Sequence, residues 1–114
     1  MFELFDIQRG DGLISARCRI DADWPGFDGH FPGRPLLPAA AQLRLAEALL
    51  QQAGDGAARL RGGRAIKFLH PVLPGETLQL RLQRQPSGDF GFTLSDAGQV
   101  RSRGTLQVEG ATLA

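Results

Sequence analysis

His30 stands in FDGHFPGRPLLPAAAQLRLAEALL, residues 27–50, where a turn rich in glycine and proline runs straight into a long apolar helix pattern. An imidazole takes up and returns protons near neutral pH. The glycines and prolines give it a rigid support, and the adjacent helix N-terminus stabilises negative charge developing beside it. A loop histidine that only caps or packs is the plainer alternative. Asp28, two residues before His30, and Glu47, on the helix, are the two carboxylates within this stretch. Arg44 lies three residues before Glu47, about 60° away around a helix, so mutual pairing of the two is the favoured expectation for Glu47. Gln42 is polar on a mostly apolar helix, and hydrogen bonding to loop backbone is its expected task.

Other chemistries find little support. His30, His70 and Cys18 form no ligand spacing, so no metal is expected. The stretch GDGAARLRGGR has glycines but lacks the lysine and hydroxyl residue of a phosphate loop, and no bound cofactor is implied. His70, between Leu69 and Pro71, is expected to have a structural role at a strand end.

The elements that must position these residues are readable from period and punctuation. GLISARCRID, residues 12–21, alternates polar and apolar side chains as a half-buried strand does, and FELFDI before it is a weaker strand candidate. Residues 21–38 hold four prolines and three glycines and describe a long ordered loop, with Trp24, Phe27 and Phe31 offering apolar surface to bury. Pro38 suits a first helical turn, AAAQLRLAEALLQQA is built of helix formers, and Gly54 is a plausible C-cap. Apolar residues nearly all round that helix predict burial on most sides. RAIKFLHPV, ETLQLRLQRQ, DFGFTLSDA and QVRSRGTLQV follow as strands, separated by LPG, PSG and AG turns. One helix covered by an antiparallel sheet is an α+β arrangement.

Composition bounds the function. The chain of 114 residues, 42% hydrophobic, is expected to form a single domain over residues 1–114. Its formal net charge of +1 predicts neither nucleic acid nor an anionic membrane as partner, and no apolar run is long enough to span a bilayer. A single cysteine and the absence of a signal-peptide pattern fit the cytoplasm. Twelve of the 13 basic residues are arginines, several of them at Arg59, Arg61, Arg64, Arg81, Arg84, Arg101 and Arg103. A solvated surface is the first expectation for these, and a docking patch for an acidic partner the second.

HFPGRPLLP, residues 30–38, followed at once by a long apolar helix, resembles the active-site motif of the hot-dog-fold 3-hydroxyacyl-acyl-carrier-protein dehydratases of fatty-acid synthesis. KFLHPVLPGETLQLRL, residues 67–82, is similar to that family's second signature, and PAAAQL resembles the dehydratase-like proteins of aryl-polyene biosynthesis. The resemblance implies a hot-dog fold, a curved antiparallel sheet wrapped around one central helix. It also implies that His30 is the general base removing a C2 proton from a (3R)-hydroxyacyl thioester, with the Ala39 amide facing the thioester oxygen. Phe31, Gly33, Ala39, Gln42 and Arg44 are then the residues expected around the substrate. The implied partners are an acyl-carrier-protein or CoA thioester as substrate and a second hot-dog subunit, in a homodimer or heterodimer. An acidic carrier would be received by some of Arg59, Arg61, Arg64, Arg84, Arg101 and Arg103.

The departure is at residue 44, where the family places its catalytic Asp or Glu and this chain has arginine. Arginine stays protonated and has no acceptor, so it cannot replace that acid. Three readings remain open: Glu47 or Asp28 supplies the acid; the chain is a degenerate dehydratase that binds acyl thioester or partners an active subunit; or His30 and Arg44 serve thioester hydrolysis. A carboxylate from a partner subunit is compatible with the first two.

Overall fold

The computed structural model describes residues 2–24, 37–53 and 56–110. The elements run β1 (Phe2–Gly10), β2 (Leu13–Ile20), α1 (Ala39–Ala53), β3 (Arg59–Phe68), β4 (Thr77–Arg84), β5 (Phe90–Asp96) and β6 (Gln99–Glu109). All six strands form one antiparallel sheet in the order β1-β2-β4-β5-β6-β3, so β1 and β3 are its edges. Among the described residues this is one helix with an antiparallel sheet, as the resemblance implies.

Tight turns set the registers. Asp11 and Gly12 both have positive φ, 47° and 77°, as do Ala97 and Gly98, 47° and 82°. Those angles suit the two-residue hairpin turns whose twist matches the flanking strands. Alternation then sorts the faces: Ile14, Ala16, Cys18, Leu78, Leu80, Leu82, Phe90, Phe92, Leu94 and Leu106 are buried. Their neighbours Arg17, Arg19, Gln79, Arg81, Gln83 and Arg103 are exposed on the opposite face.

The helix begins and ends where its sequence pattern does. Its buried residues, Gln42, Leu45, Ala46, Leu49, Leu50 and Ala53, recur at three- and four-residue spacing and form one stripe against the sheet. Ala39, Ala40 and Arg44 are exposed. Within this chain the helix is therefore buried on one side and not on most sides; alanine's high helix propensity, not burial, accounts for its apolar outer residues.

β3 starts at Arg59, five residues before the predicted strand, and ends at Phe68, before Leu69–Val72. Its pairing with β6 shifts between Leu60 and Gly62 and again between Arg64 and Lys67. Bulges of this kind let an edge strand absorb the glycine pair that broke the sequence pattern. The second shift brings Ile66 over Gly104, where an added Cβ would lie 2.5 Å from Ile66 Cδ1, 2.9 Å from Ile66 Cα and 3.2 Å from the Ala65 carbonyl oxygen. Two of those three neighbours are backbone, so relief requires moving the strand. Gly104→Ala is expected to cost about 2 kcal/mol in urea unfolding, whereas Gly98→Ala, with nothing within 4 Å, should cost less through its positive φ alone.

Candidate active site

The first turn of α1 faces the end of β3 and the segment after it across a cleft of about 380 Å³, lined by Leu37, Pro38, Ala39, Gln42, Phe68, Leu69, His70 and Pro71. Its walls are mostly apolar. Phe68 and Leu69 are each 46% exposed, an unusual degree for such large apolar side chains.

The helix side of the cleft is fixed by a short network. Pro38 carbonyl accepts from the amides of Ala41 and Gln42, at 3.1 and 3.2 Å. The amides of Ala39 and Ala40 have no acceptor among the described residues, as expected of the first turn of a helix. They form the positive end of the helix dipole beside the cleft. Gln42 is 5% exposed, and its Nε2 donates to the Leu37 carbonyl at 3.2 Å, the loop-backbone task expected of it. Its buried Oε1 has no partner among the described residues, and a ligand donor at the cleft would satisfy it.

The opposite wall is held by Arg101. Its carbonyl accepts from the amides of Leu69 and His70, at 2.8 and 3.1 Å, and its Nη1 donates to the Pro71 carbonyl at 2.7 Å. The guanidinium forks onto Glu76, at 2.9 and 2.6 Å, and reaches Asp96 at 3.4 Å. The same Glu76 carboxylate accepts from the Leu73 amide at 2.7 Å. The Arg101 hydrogen bond holds the Glu76 carboxyl below its ordinary value of 4.5, against a smaller opposing effect of burial. Finally, the Leu37 amide donates to the Val72 carbonyl at 2.8 Å and ties the two walls together. Arg101, 8% exposed, is thus a structural clamp, which removes it from the set of arginines expected to receive a carrier.

The sequence-predicted site residues divide clearly. Ala39 and Gln42 line the cleft. Arg44 is exposed on the outer side of the helix. Glu47 is not in the cleft: its Oε2 accepts from the Leu60 amide at 2.9 Å, at the start of β3. Eight residues of helix separate it from Ala39, about 12 Å along the axis. No Arg44–Glu47 ion pair occurs among the described residues, so the expected pairing is replaced by a bond to strand backbone. His30, Phe31, Gly33 and Asp28 lie outside the described residues. Cys18 is fully buried and its thiol is pushed up to about 12 by burial, which makes it an inert core residue.

Sequence reasoning does not place His70, Phe68 and Leu69 around the site. The KFLHPV motif carries them, but strand periodicity gives no hint that the chain turns there to wall a cleft. Arg101 is equally hidden, since in QVRSRG it reads as one more surface arginine. No group of metal-ligating side chains occurs among the described residues, and no described helix is long and apolar enough to cross a membrane.

Comparison with known proteins agrees with this geometry. The chain is 35% identical over 103 residues to the 3-hydroxyacyl-[acyl-carrier-protein] dehydratase FabZ of Haemophilus influenzae (strain PittEE), covering 79% of this chain and 67% of that protein. It is 36% identical over 113 residues to FabZ of Thermus thermophilus, covering 88% and 79%. Among solved structures it superposes on the dehydratase heterocomplex ApeI:P from Xenorhabdus doucetiae with a TM-score of 0.79, at 24% identity over 93% of this chain and 96% of that one. The Escherichia coli PaaI protein superposes with a TM-score of 0.64, at 17% identity over 99% and 83%. These structures establish the hot-dog fold. The family described as ApeI-like, ApeI dehydratase, matches residues 6–105, and the chain belongs to that dehydratase family.

Proposed function

We propose that this chain is one subunit of a 3-hydroxyacyl-thioester dehydratase, contributing the base His30 and the cleft at the N-terminus of α1, while the acid comes from a second hot-dog subunit. The observation that carries the proposal is the apolar cleft beside the free amides of Ala39 and Ala40, in a chain whose helix bears arginine at residue 44.

In this mechanism the His30 imidazole takes the C2 proton of a (3R)-3-hydroxyacyl thioester. The electron pair of the broken C–H bond forms the C2–C3 double bond as the C3 hydroxyl leaves. A carboxylic acid of the partner protonates that hydroxyl, and water departs. Negative charge developing on the thioester oxygen is met by the Ala39 amide and the helix dipole. Alanine at residue 39 keeps the backbone N–H that is this donor, while Phe68 and Leu69 accommodate apolar acyl chain.

The heterocomplex named for the Xenorhabdus structure and the carrier-protein substrate named for FabZ support a hot-dog partner and an acyl-carrier-protein thioester. The exposed edge strand β3, the outer face of α1 and the cytoplasm as compartment are consistent with such an assembly. Glu47 is engaged by Leu60, which favours a partner acid over one relocated within this chain.

The test is incubation with a (3R)-hydroxyacyl thioester on carrier protein, following water loss and thiol release separately by mass spectrometry. Glu47→Gln is expected to leave the rate within about twofold, because the Leu60 amide can still donate to the amide oxygen. Loss of water formation in Glu47→Gln at unchanged stability would move the acid back into this chain. Thiol release without dehydration would make the protein a thioesterase.

A further inference from the structure

On the face of the sheet opposite the helix, four strands place Arg81, Thr93, Arg103 and Lys67 directly across from one another, on β4, β5, β6 and β3 in turn. All four line one depression of about 720 Å³, which also includes Ser95 and Thr105. The row spans three strand spacings, about 14 Å.

Among the described residues, no Asp or Glu lines this depression. Five arginines elsewhere pair with carboxylates: Arg17 with Asp6, Arg19 with Glu3, Arg61 with Glu109, Arg64 with Asp89 and Arg101 with Glu76. The side chains of Arg81, Arg103 and Lys67 have no ion pair or hydrogen bond among the described residues. Lys67 and Arg103 are moreover direct cross-strand neighbours, an arrangement in which like charges repel. In a chain with a formal net charge of only +1, three cations aligned without a counter-charge are not a consequence of excess basic residues. A bound anion would turn the repulsion into attraction.

We infer that this row is a second binding site, distinct from the α1 cleft, for a small organic diphosphate of the nucleoside-diphosphate type. Guanidinium groups two strands apart, Arg81 and Arg103, can converge from either side of Thr93 on one phosphate. Lys67, beside Arg103, meets the adjacent phosphate as a compact charge. The hydroxyls of Thr93, Thr105 and Ser95 supply further donors, and the groove has room for the organic portion.

The test is calorimetric titration of the intact protein with ADP and with inorganic diphosphate at low salt. Saturable binding of both is expected, weakened about tenfold by Arg103→Gln or Lys67→Gln, each of which removes one charged donor. It should weaken further with added salt. Arg84→Gln, outside the depression, should bind as the parent does. Unchanged thermal midpoints in the variants keep the result interpretable, since these side chains have no partners to lose among the described residues. Absence of saturable binding, or binding indifferent to Arg103→Gln, overturns the inference. So does row-dependent binding of polyglutamate with none of diphosphate, which would make the row a protein-docking surface.

Discussion

Arg101→Ala is expected to destabilise the fold by about 3–5 kcal/mol, the range for removing one partner from a buried ion pair. The guanidinium side chain is 10% exposed and that of Glu76 is 23% exposed, so solvent screens the pair little. The substitution removes the forked contact to Glu76 and the bond to the Pro71 carbonyl together, and leaves the Glu76 carboxylate with only the Leu73 amide. In a domain of this size such a loss lowers the thermal midpoint by roughly 12 °C or more. Arg101→Lys, which keeps the charge but not the fork, should fall between the two. A loss below about 1 kcal/mol would mean that the pair behaves as a surface ion pair.

The same pair predicts an acid transition. The folded chain holds the Glu76 carboxyl below its ordinary value of 4.5. Its contribution to stability is therefore complete above pH 4.5 and is lost as pH falls through the lower folded value. Glu76→Gln should cost stability near neutrality and flatten the decline below pH 4.5. An unchanged acid slope would remove Glu76 from the acid transition.

The second large effect concerns the base. His30→Ala is expected to lower dehydration by about 10²–10⁴-fold in the active assembly, the usual contribution of general base catalysis. Thermal stability and the association of subunits, measured on the same variant, should be preserved, so that the loss reports the reaction itself. His70→Ala serves as the control: the residue lines the cleft, but its place in the wall depends on a backbone bond to Arg101 that the substitution keeps. A drop confined to His70→Ala would transfer the role of base to that residue.

Local pattern carries the fold a long way in this chain. The helix bounds follow from Pro38 and a run of helix formers, and β2 and β4 follow from two-residue alternation, because each buries one face. β3 departs from its pattern because an edge strand buries little and its bulges break the period. In the site, Ala39 and Gln42 are legible because they sit on a regular helix. Arg101 and Glu76 are 25 residues apart and meet only through strand order, so nothing local could pair them. The expected pairing of Glu47 with Arg44 fails for the same reason: the acceptor role of Glu47 is set by Leu60, across the helix-to-strand connection.

The central claim is that the acid is missing from this chain and not relocated within it. The most direct measurement is water loss from a (3R)-hydroxyacyl thioester by the purified chain alone, compared between the parent, Arg44→Glu and Arg44→Glu combined with His30→Ala. The account predicts a slow parent, a gain of about 10²-fold or more on restoring a carboxylate at residue 44, and loss of that gain when His30 is removed. A parent that dehydrates rapidly on its own, with Arg44→Glu giving no increase, would contradict it.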